Sequence, residues 1–350
     1  MNRKLRIMMV TNHGCIRVIK ESIPLMDAGH IVHFIARKQP WGHWLTNMFS
    51  EYRGKRQLRS LVANSNADIF HVHNEPDWMI KEVKDYANGR PVIHDCHDLL
   101  SLASGVQSTD EIQAFDIADG VIHVTETNRR LAENLYGSTK PTKVIHSYMP
   151  KGFIMGDRDV VKTEYVNFNN VVYEGGLNST DPPVVEADRY KVNIRYWVEV
   201  IKAFRANGFN VTLYPAAKMP NLVYEQFGCF VCDPVPYPTL LVGLRPHGIG
   251  LVGSVYPVSY INCALPNKLF EYISQGVVPV VMNCTEAEEF VIKHDCGIVI
   301  KDINDFSPLK LDALREKRNN VLKLRHKLTM ESQISSIESL YEEVLDAKGM

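Results

Sequence analysis

The 350-residue sequence is short of the features that assign a protein quickly. Its first apolar run, Leu5 to Val10 behind Met1-Asn2-Arg3-Lys4, is too brief for a secretory leader or a membrane helix, and no other run approaches the length of a membrane span. The seven cysteines are an odd number without regular spacing, which excludes a disulfide framework and points to a reducing, cytoplasmic setting. Cys229-Phe230-Val231-Cys232 lacks the second Cys or His pair that a zinc site needs, so it reads as two thiols on a strand or loop. Neither sign of charge is in excess: 39 Lys and Arg stand against 40 Asp and Glu, which argues against extended binding to a polyanion. Neither Asn12-His13-Gly14 nor Gly175-Gly176, the glycine loops at the ends of the first strands of the two halves, belongs to a GxGxxG, which weakens an NAD-binding reading. No repeat or low-complexity tract is visible.

What is present is regular alternation. A chain of this length suits two domains, and a hydrophobic content of 45% supports packed cores in both. Strands are predicted at Leu5–Thr11, Ile31–Ala36, Ile69–Val72, Pro91–His94, Gly120–Val124 and Lys143–His146, with helices between them and a helix over Thr125–Leu135. Periodicity fades between Met149 and Asn170, as in a linker. A second series follows: strands at Val171–Tyr173, Val211–Tyr214, Gly248–Val252, Val278–Met282 and Gly297–Ile300, a helix over Arg195–Ala206, and a helix over Thr285–Lys293 with Thr285 and Glu288 as a capping box. Leu309 to Leu345 reads as mostly helical. The expected division is 1–155, 156–330 and a C-terminal helix at 331–350. Strands alternating with helices predict parallel sheets covered on both faces.

The most informative segment runs from Leu265 to Val281. Pro266 opens a helix, Asn267 and Lys268 fill its first turn, Glu271 follows one turn on, and Gly276 closes it before a Val-rich strand. A lysine beside free N–H groups at a helix start can meet a diphosphate, and Glu271 can accept the hydroxyls of a ribose. The competing reading is an ordinary surface pair at i, i+3. The Pro, Gly and strand punctuation, which sets the helix start near a sheet edge, favours the binding reading.

Here the residues resemble the donor-binding helix of the GT-B glycosyltransferases, family 4-like, and further phrases extend the resemblance over nearly the whole chain. These are Asn12-His13-Gly14 with Ala28-Gly29-His30-Ile31-Val32, Ala67-Asp68-Ile69-Phe70-His71-Val72-His73, Pro91-Val92-Ile93-His94-Asp95-Cys96-His97-Asp98, Ala118-Asp119-Gly120-Val121-Ile122 and Tyr173-Glu174-Gly175-Gly176-Leu177. The resemblance implies an α/β GT-B fold, with two Rossmann-like domains facing each other across a cleft and the C-terminal helix returning to the first. It implies a nucleoside diphosphate-sugar as donor, with no cofactor and no metal. Two departures stand out. Cys263 lies eight residues before Glu271, where many retaining members carry a glutamate, and the basic residues that usually follow the glycine loop are displaced, with Arg195 the best substitute and Arg189 next.

Transfer requires charge on the leaving phosphate to be met and an acceptor hydroxyl to be positioned. Lys268, Arg195, Asn267 and the backbone near Gly176 are the candidates for the first task, in place of a metal. The only D-x-D, Asp157-Arg158-Asp159, falls in the linker, where carboxylates are solvated. The resemblance implies that His97 touches the donor sugar, that Asp95 or Asp98 is the base if configuration inverts, and that His13 and Gly14 face the acceptor. Trp41, Trp44, Leu45, Met48, Phe49 and Tyr52 recur at helical spacing before the basic stretch Arg53 to Arg59. That combination suits a saccharide or lipid-linked acceptor and peripheral membrane association, or else a core-facing helix with a basic outer face. A nucleic-acid acceptor would use the same patch, against which the neutral charge balance argues. Two rival functions share the nucleotide grip: a GT-B epimerase and a non-catalytic binding protein.

Overall fold

Short β-branched runs separated by amphipathic segments of helix length fold, in each half of the chain, into a parallel sheet. The computed structural model describes residues 3–12, 15–37, 48–73, 76–137, 139–178, 195–218 and 222–350. Contacts divide the chain into two units, residues 1–150 with 330–350, and residues 151–329.

In the first unit β1 (Arg6–Thr11), β2 (Ile31–Ala36), β3 (Phe49–Glu51), β4 (Ile69–His73), β5 (Val92–Cys96), β6 (Gly120–His123) and β7 (Thr142–Val144) form a seven-stranded parallel sheet in the order β3-β2-β1-β4-β5-β6-β7. Every residue of β4 and β5 is buried, as strands covered on both faces require. The order reverses between β1 and β4, so the segments leaving β1, β4 and β5 emerge where open α/β sheets bind ligands. The first of these leads into α1 (Ile16–Asp27), which ends in a turn through Gly29 at φ +95°. The C-terminal helix Ile334–Asp346 belongs to this unit and buries Ile337, Leu340, Tyr341 and Val344. It lies so close to the sheet that a Cβ on Gly120 would come within 3.0 Å of Val344 Cγ1.

α1 carries three buried charged residues, Arg17, Lys20 and Glu21, on what would ordinarily be its apolar face. Arg17 Nε donates to Asp95 Oδ2 at 2.9 Å, its Nη1 donates to Ser147 Oγ at 3.0 Å, and its Nη2 lies 2.8 Å from Glu21 Oε1. Arg17 and Glu21 sit four residues apart and share a helix face. One guanidinium therefore ties α1 to β5 and to the segment after β7, wholly inside the unit.

In the second unit β8 (Asn170–Gly175), β9 (Asn210–Pro215), β10 (Phe230–Val231), β11 (Ile249–Gly253), β12 (Val278–Met282) and β13 (Ile298–Val299) form a six-stranded parallel sheet ordered β10-β9-β8-β11-β12-β13, which reverses between β8 and β11. The helix opened by Pro266 is α2 (Asn267–Ser274). Its Tyr272 lies flat over Gly250, where a Cβ would fall 2.4 Å from the ring, and its hydroxyl accepts the Glu174 N–H at 3.1 Å. That anchor sets the first turn of α2 beside the end of β8.

Several local expectations are corrected. Phe49–Glu51 is an edge strand paired with β2, not the end of a helix, and residues 38–47 lie outside the described residues. The helix expected from Arg195 begins at Val198, leaving Arg195 in the preceding turn. Thr285 is not the cap of its helix: Cys284 holds that position, and Glu288 Oε1 accepts the Cys284 N–H at 3.4 Å, which supplies half of the box. The presumed linker contains short 3₁₀ turns at Lys151–Phe153, Asp157–Asp159 and Thr163–Tyr165. Asp157 there meets Arg325 and His326, and Asp159 meets Arg245 at 3.3 Å, so both carboxylates have protein cations.

Removing one partner of a buried ion pair leaves the other charge uncompensated. Arg17→Met is expected to lower the stability of the N-terminal unit by about 3–5 kcal/mol, seen as lost amide protection in β4 and β5 by hydrogen exchange. Arg17→Met combined with Asp95→Asn should recover part of that loss; protection equal to the parent in the single variant would show that the pair does not hold the unit together.

Candidate functional site

The pleat of β5 sorts the cluster that the sequence places at 94–98. Successive side chains point to opposite faces, so His94 and Cys96 go one way and Asp95 and His97 the other. His94 packs edge-on against Phe115 at 4.9 Å and lies 3.7 Å from Asp77 Oδ1; burial holds its imidazole neutral, pulled down to about 3. The thiol of Cys96 is pushed well up by burial and donates to the Asp98 carbonyl at 3.6 Å. These two are core residues. Asp98 itself is half-buried on the following loop.

On the other face Asp95 Oδ2 is a hub. Around it stand Arg17 Nε at 2.9 Å, His73 Nδ1 at 3.2 Å, His71 Nε2 at 3.4 Å and His97 Nε2 at 3.6 Å. Burial works against the Asp95 charge, but Arg17 and His97 outweigh it and hold the carboxyl well below the usual carboxylate range. Asp95 is 0% exposed, so it is not placed as a base that touches substrate; it orients the imidazoles around it. His71 and His73, two apart on β4, project on one face and stack at 4.5 Å. His71 Nδ1 pairs with Tyr341 Oη at 2.7 Å. His73 is depressed to about 3 by burial and by His71, and its Nδ1 lies 3.2 Å from His97 Nε2.

His97 stands at the outer end of this chain, with 16% of its side chain exposed. Burial alone would strip its proton, but the Cys15 sulfur and the Asp95 carboxylate outweigh burial and hold the imidazole protonated well above its ordinary range. Cys15 Sγ lies 3.8 Å from His97 Nδ1. Sequence reasoning had not singled out Cys15, Arg17 or Glu21. It had read His71 and His73 only as part of a strand. The signals were the His-x-His on a buried strand and the i, i+4 charges on the helix after β1.

Glu21, His71, His73 and Asp95 bring donor atoms within 4.8 Å of one another, a set that could suit a metal ion. Arg17 already meets both carboxylates. Burial pushes Glu21 well up against the pull of Arg17, while Arg17 and His97 hold Asp95 well down. A dication there would compete with a fixed guanidinium.

In the second unit Lys268 and Arg195 flank the glycines that end β8. Lys268 Nζ lies 3.9 Å from the centre of the Tyr173 ring and 3.3 Å from the position a Gly175 Cβ would take, with Gly175 at φ +118°. A Cβ on Gly176 would fall 2.8 Å from Arg195 Cδ and Nε. Tyr173 Oη donates to the Gly176 carbonyl at 3.0 Å, and Asn178 N–H donates to the Arg195 carbonyl at 3.0 Å, which closes the loop on itself. Among the described residues no carboxylate pairs with Lys268.

Glu271 is 3% exposed, and its Oε1 accepts from Tyr237 Oη at 2.7 Å. The phenol stays protonated, because burial and the neighbouring carboxylate push it well up. The surface-pair reading of Lys268 and Glu271 therefore fails: one lies on an aromatic ring and the other is buried under a tyrosine. Asn267 is half-buried at the helix start. Cys263 donates to the Ser259 carbonyl at 3.5 Å, and burial raises its thiol. His13, Gly14, Trp41 and Trp44 lie outside the described residues, as does Arg189. Of the basic stretch, Lys55 and Arg59 meet Glu82, whereas Arg53 is 89% exposed.

Comparison with known proteins adds the following. Residues 15–147 match the family model described as Glycosyltransferase Family 4. No curated protein matches the sequence. A glycosyltransferase from Rickettsia africae ESF-5 is similar in structure at a TM-score of 0.69 and 12% identity, over 98% of this chain and 99% of that one. Sucrose-phosphate synthase from Thermosynechococcus elongatus gives 0.68 at 14% identity, over 99% and 100%. Anabaena Alr3699/HepE, solved in complex with UDP-glucose, gives 0.67 at 14% identity, over 96% and 99%. The reversal points of both sheets, the buried cluster at α1, β4 and β5, and the cations at β8 thus sit in a GT-B fold protein that matches Glycosyltransferase Family 4 over residues 15–147.

Proposed function

We propose that this protein is a glycosyltransferase that moves a sugar from a nucleoside diphosphate-sugar to a hydroxyl acceptor without a metal. The observation that carries the reading is Lys268: an ammonium held over Tyr173, beside a glycine loop at the sheet's reversal point, with no carboxylate partner among the described residues. A cation placed where open α/β sheets bind ligands, and left without a protein anion, suits an anionic ligand. Arg195 adds a second positive group across Gly176. Together they would bind the diphosphate and balance the charge that grows on it as the sugar leaves. Glu271, its rotamer fixed by Tyr237, would accept ribose hydroxyls. Similar structures solved with UDP or UDP-glucose make a UDP-sugar the first donor to try.

In the N-terminal unit the protonated His97 would contact the transferred sugar, and Asp98 on the same loop would be the base for an inverting reaction. The acceptor is a saccharide or lipid-linked hydroxyl, with exposed Arg53 and Arg56 available to an anionic surface. Among the described residues no helix is long and apolar enough to cross a membrane. Seven free cysteines support a reducing compartment, the cytoplasm.

A thermal-shift screen of nucleotide sugars, followed by product analysis with donor alone, tests the reading. Stabilisation with donor hydrolysis or transfer supports it; an epimerised donor, or binding without turnover, replaces it with an isomerase or a binding protein. Glu271→Gln keeps an acceptor for Tyr237 and should weaken donor binding by about 1.5–3 kcal/mol, roughly 10- to 150-fold in Kd by calorimetry. Unchanged affinity for every nucleotide sugar removes Glu271 from the site. Lys268→Ala should lower kcat more than it raises KM, because leaving-group charge is larger in the transition state than in the bound donor. A loss confined to KM would make Lys268 a binding residue only.

A further inference from the structure

Cys15 stands apart from the roles assigned above. It is the residue before α1, half-buried, with its sulfur 3.8 Å from His97 Nδ1. The other ring nitrogen of His97 faces Asp95 Oδ2 at 3.6 Å and His73 Nδ1 at 3.2 Å. Sulfur, imidazole and carboxylate are thus in line, in the arrangement that activates a thiol: the carboxylate favours a charged imidazole, and the charged imidazole favours a thiolate. The Arg17 N–H in the first turn of α1 adds a further donor to the sulfur. We propose that Cys15 is a modification site, a thiol set against His97 at the open end of α1 so that it reacts with hydroperoxides and other soft electrophiles.

The local charges agree with this geometry. Burial raises the Cys15 thiol, but His97, then the Arg17 backbone N–H and guanidinium, outweigh burial and bring it below its ordinary range. The remaining groups that face the pair are Asp95 on β5, His71 and His73 on β4, and Glu21 on α1. The two half-buried thiols elsewhere, Cys232 and Cys263, are both raised by burial rather than lowered. With hydrogen peroxide the step balances within the pair. The Cys15 thiolate attacks one oxygen, the O–O bond breaks, the departing hydroxide takes the His97 proton and leaves as water, and a sulfenic acid beside neutral His97 remains. Sulfur loses two electrons and the peroxide gains them.

The test is alkylation of the full-length folded chain by iodoacetamide, followed for each cysteine peptide by mass spectrometry between pH 5.5 and 9. Cys15 is expected to react more than about tenfold faster than Cys263 at pH 6.5, with a rate that rises at lower pH than an ordinary thiol, near 8.5. His97→Gln should move that rise up to the ordinary range. In a second arm, peroxide followed by dimedone should label Cys15 in the parent and not in His97→Gln. Cys15 reacting no faster than Cys263 overturns the proposal, as does a pH profile unchanged in a folded His97→Gln. If that variant fails to fold, the comparison of Cys15 with Cys263 within the parent chain decides. No donor is needed, so the outcome stands apart from that of the nucleotide-sugar screen.

Discussion

A single carboxylate oxygen, Asp95 Oδ2, constrains the N-terminal unit. A carboxylate taken wholly out of water costs several kcal/mol unless a counter-charge and hydrogen bonds come with it. Arg17 supplies the charge, and to do so α1 must present at its first turn a guanidinium to the face of β5, with Glu21 one turn behind it. The remaining approaches to the same oxygen are taken by His71, His73 and His97, so the carboxyl ends of β4 and β5 and the start of α1 are held by one set of contacts. Burial keeps His73 neutral, while His97, the member of the set that reaches solvent, is held protonated. A proton held there is a consequence of an ion pair buried below it.

In the C-terminal unit the buried Glu271 accepts from a neutral phenol, Tyr237, and Lys268, one turn before it, lies on the Tyr173 ring. Cation and anion one helical turn apart are therefore kept from cancelling each other. Tyr272, on the same helix, lies over Gly250 and takes the Glu174 N–H, so α2 cannot turn about its axis without uncovering the sheet. In the first unit opposite charges are paired and buried as a scaffold; at the end of β8 in the second, Lys268 and Glu271 each rest on an aromatic residue instead of on one another.

Much of the fold was legible in the sequence because it rests on local periodicity. Buried parallel strands read as runs of Val and Ile, and the bounds of Ile31–Ala36 and Val278–Met282 follow from those runs directly. The Pro-to-Gly punctuation of α2 was equally local. What could not be read is what depends on distant pairing. Phe49–Glu51 carries a helical spacing of aromatics, yet it becomes a strand because the edge of β2 offers it a ladder. Arg17 and Asp95 are 78 positions apart, and Tyr237 lies 34 before Glu271; no spacing rule connects either pair. The cluster at 94–98 was visible as titratable side chains, but its division into two core residues and two that face Arg17 appears only once the strand and its pleat are known.

Cys263 gives the departure from the resembling family a physical meaning. Burial keeps its thiol neutral, and between Ser259 and Lys268 the chain has no charged side chain except Lys268. A glutamate at this position would add a negative charge to the segment that leads into α2. Without it, the segment itself carries Lys268 as its one charge, and the carboxylate that acts on Cys263 comes from Glu286 on another helix. Coulomb interactions at a partly desolvated strand end are several-fold stronger than in water, so removing one carboxylate from that neighbourhood raises the pull on a diphosphate more than on uncharged sugar hydroxyls. For the donor site proposed above, a thiol rather than a carboxylate at this position would favour holding the phosphates over holding the sugar hydroxyls.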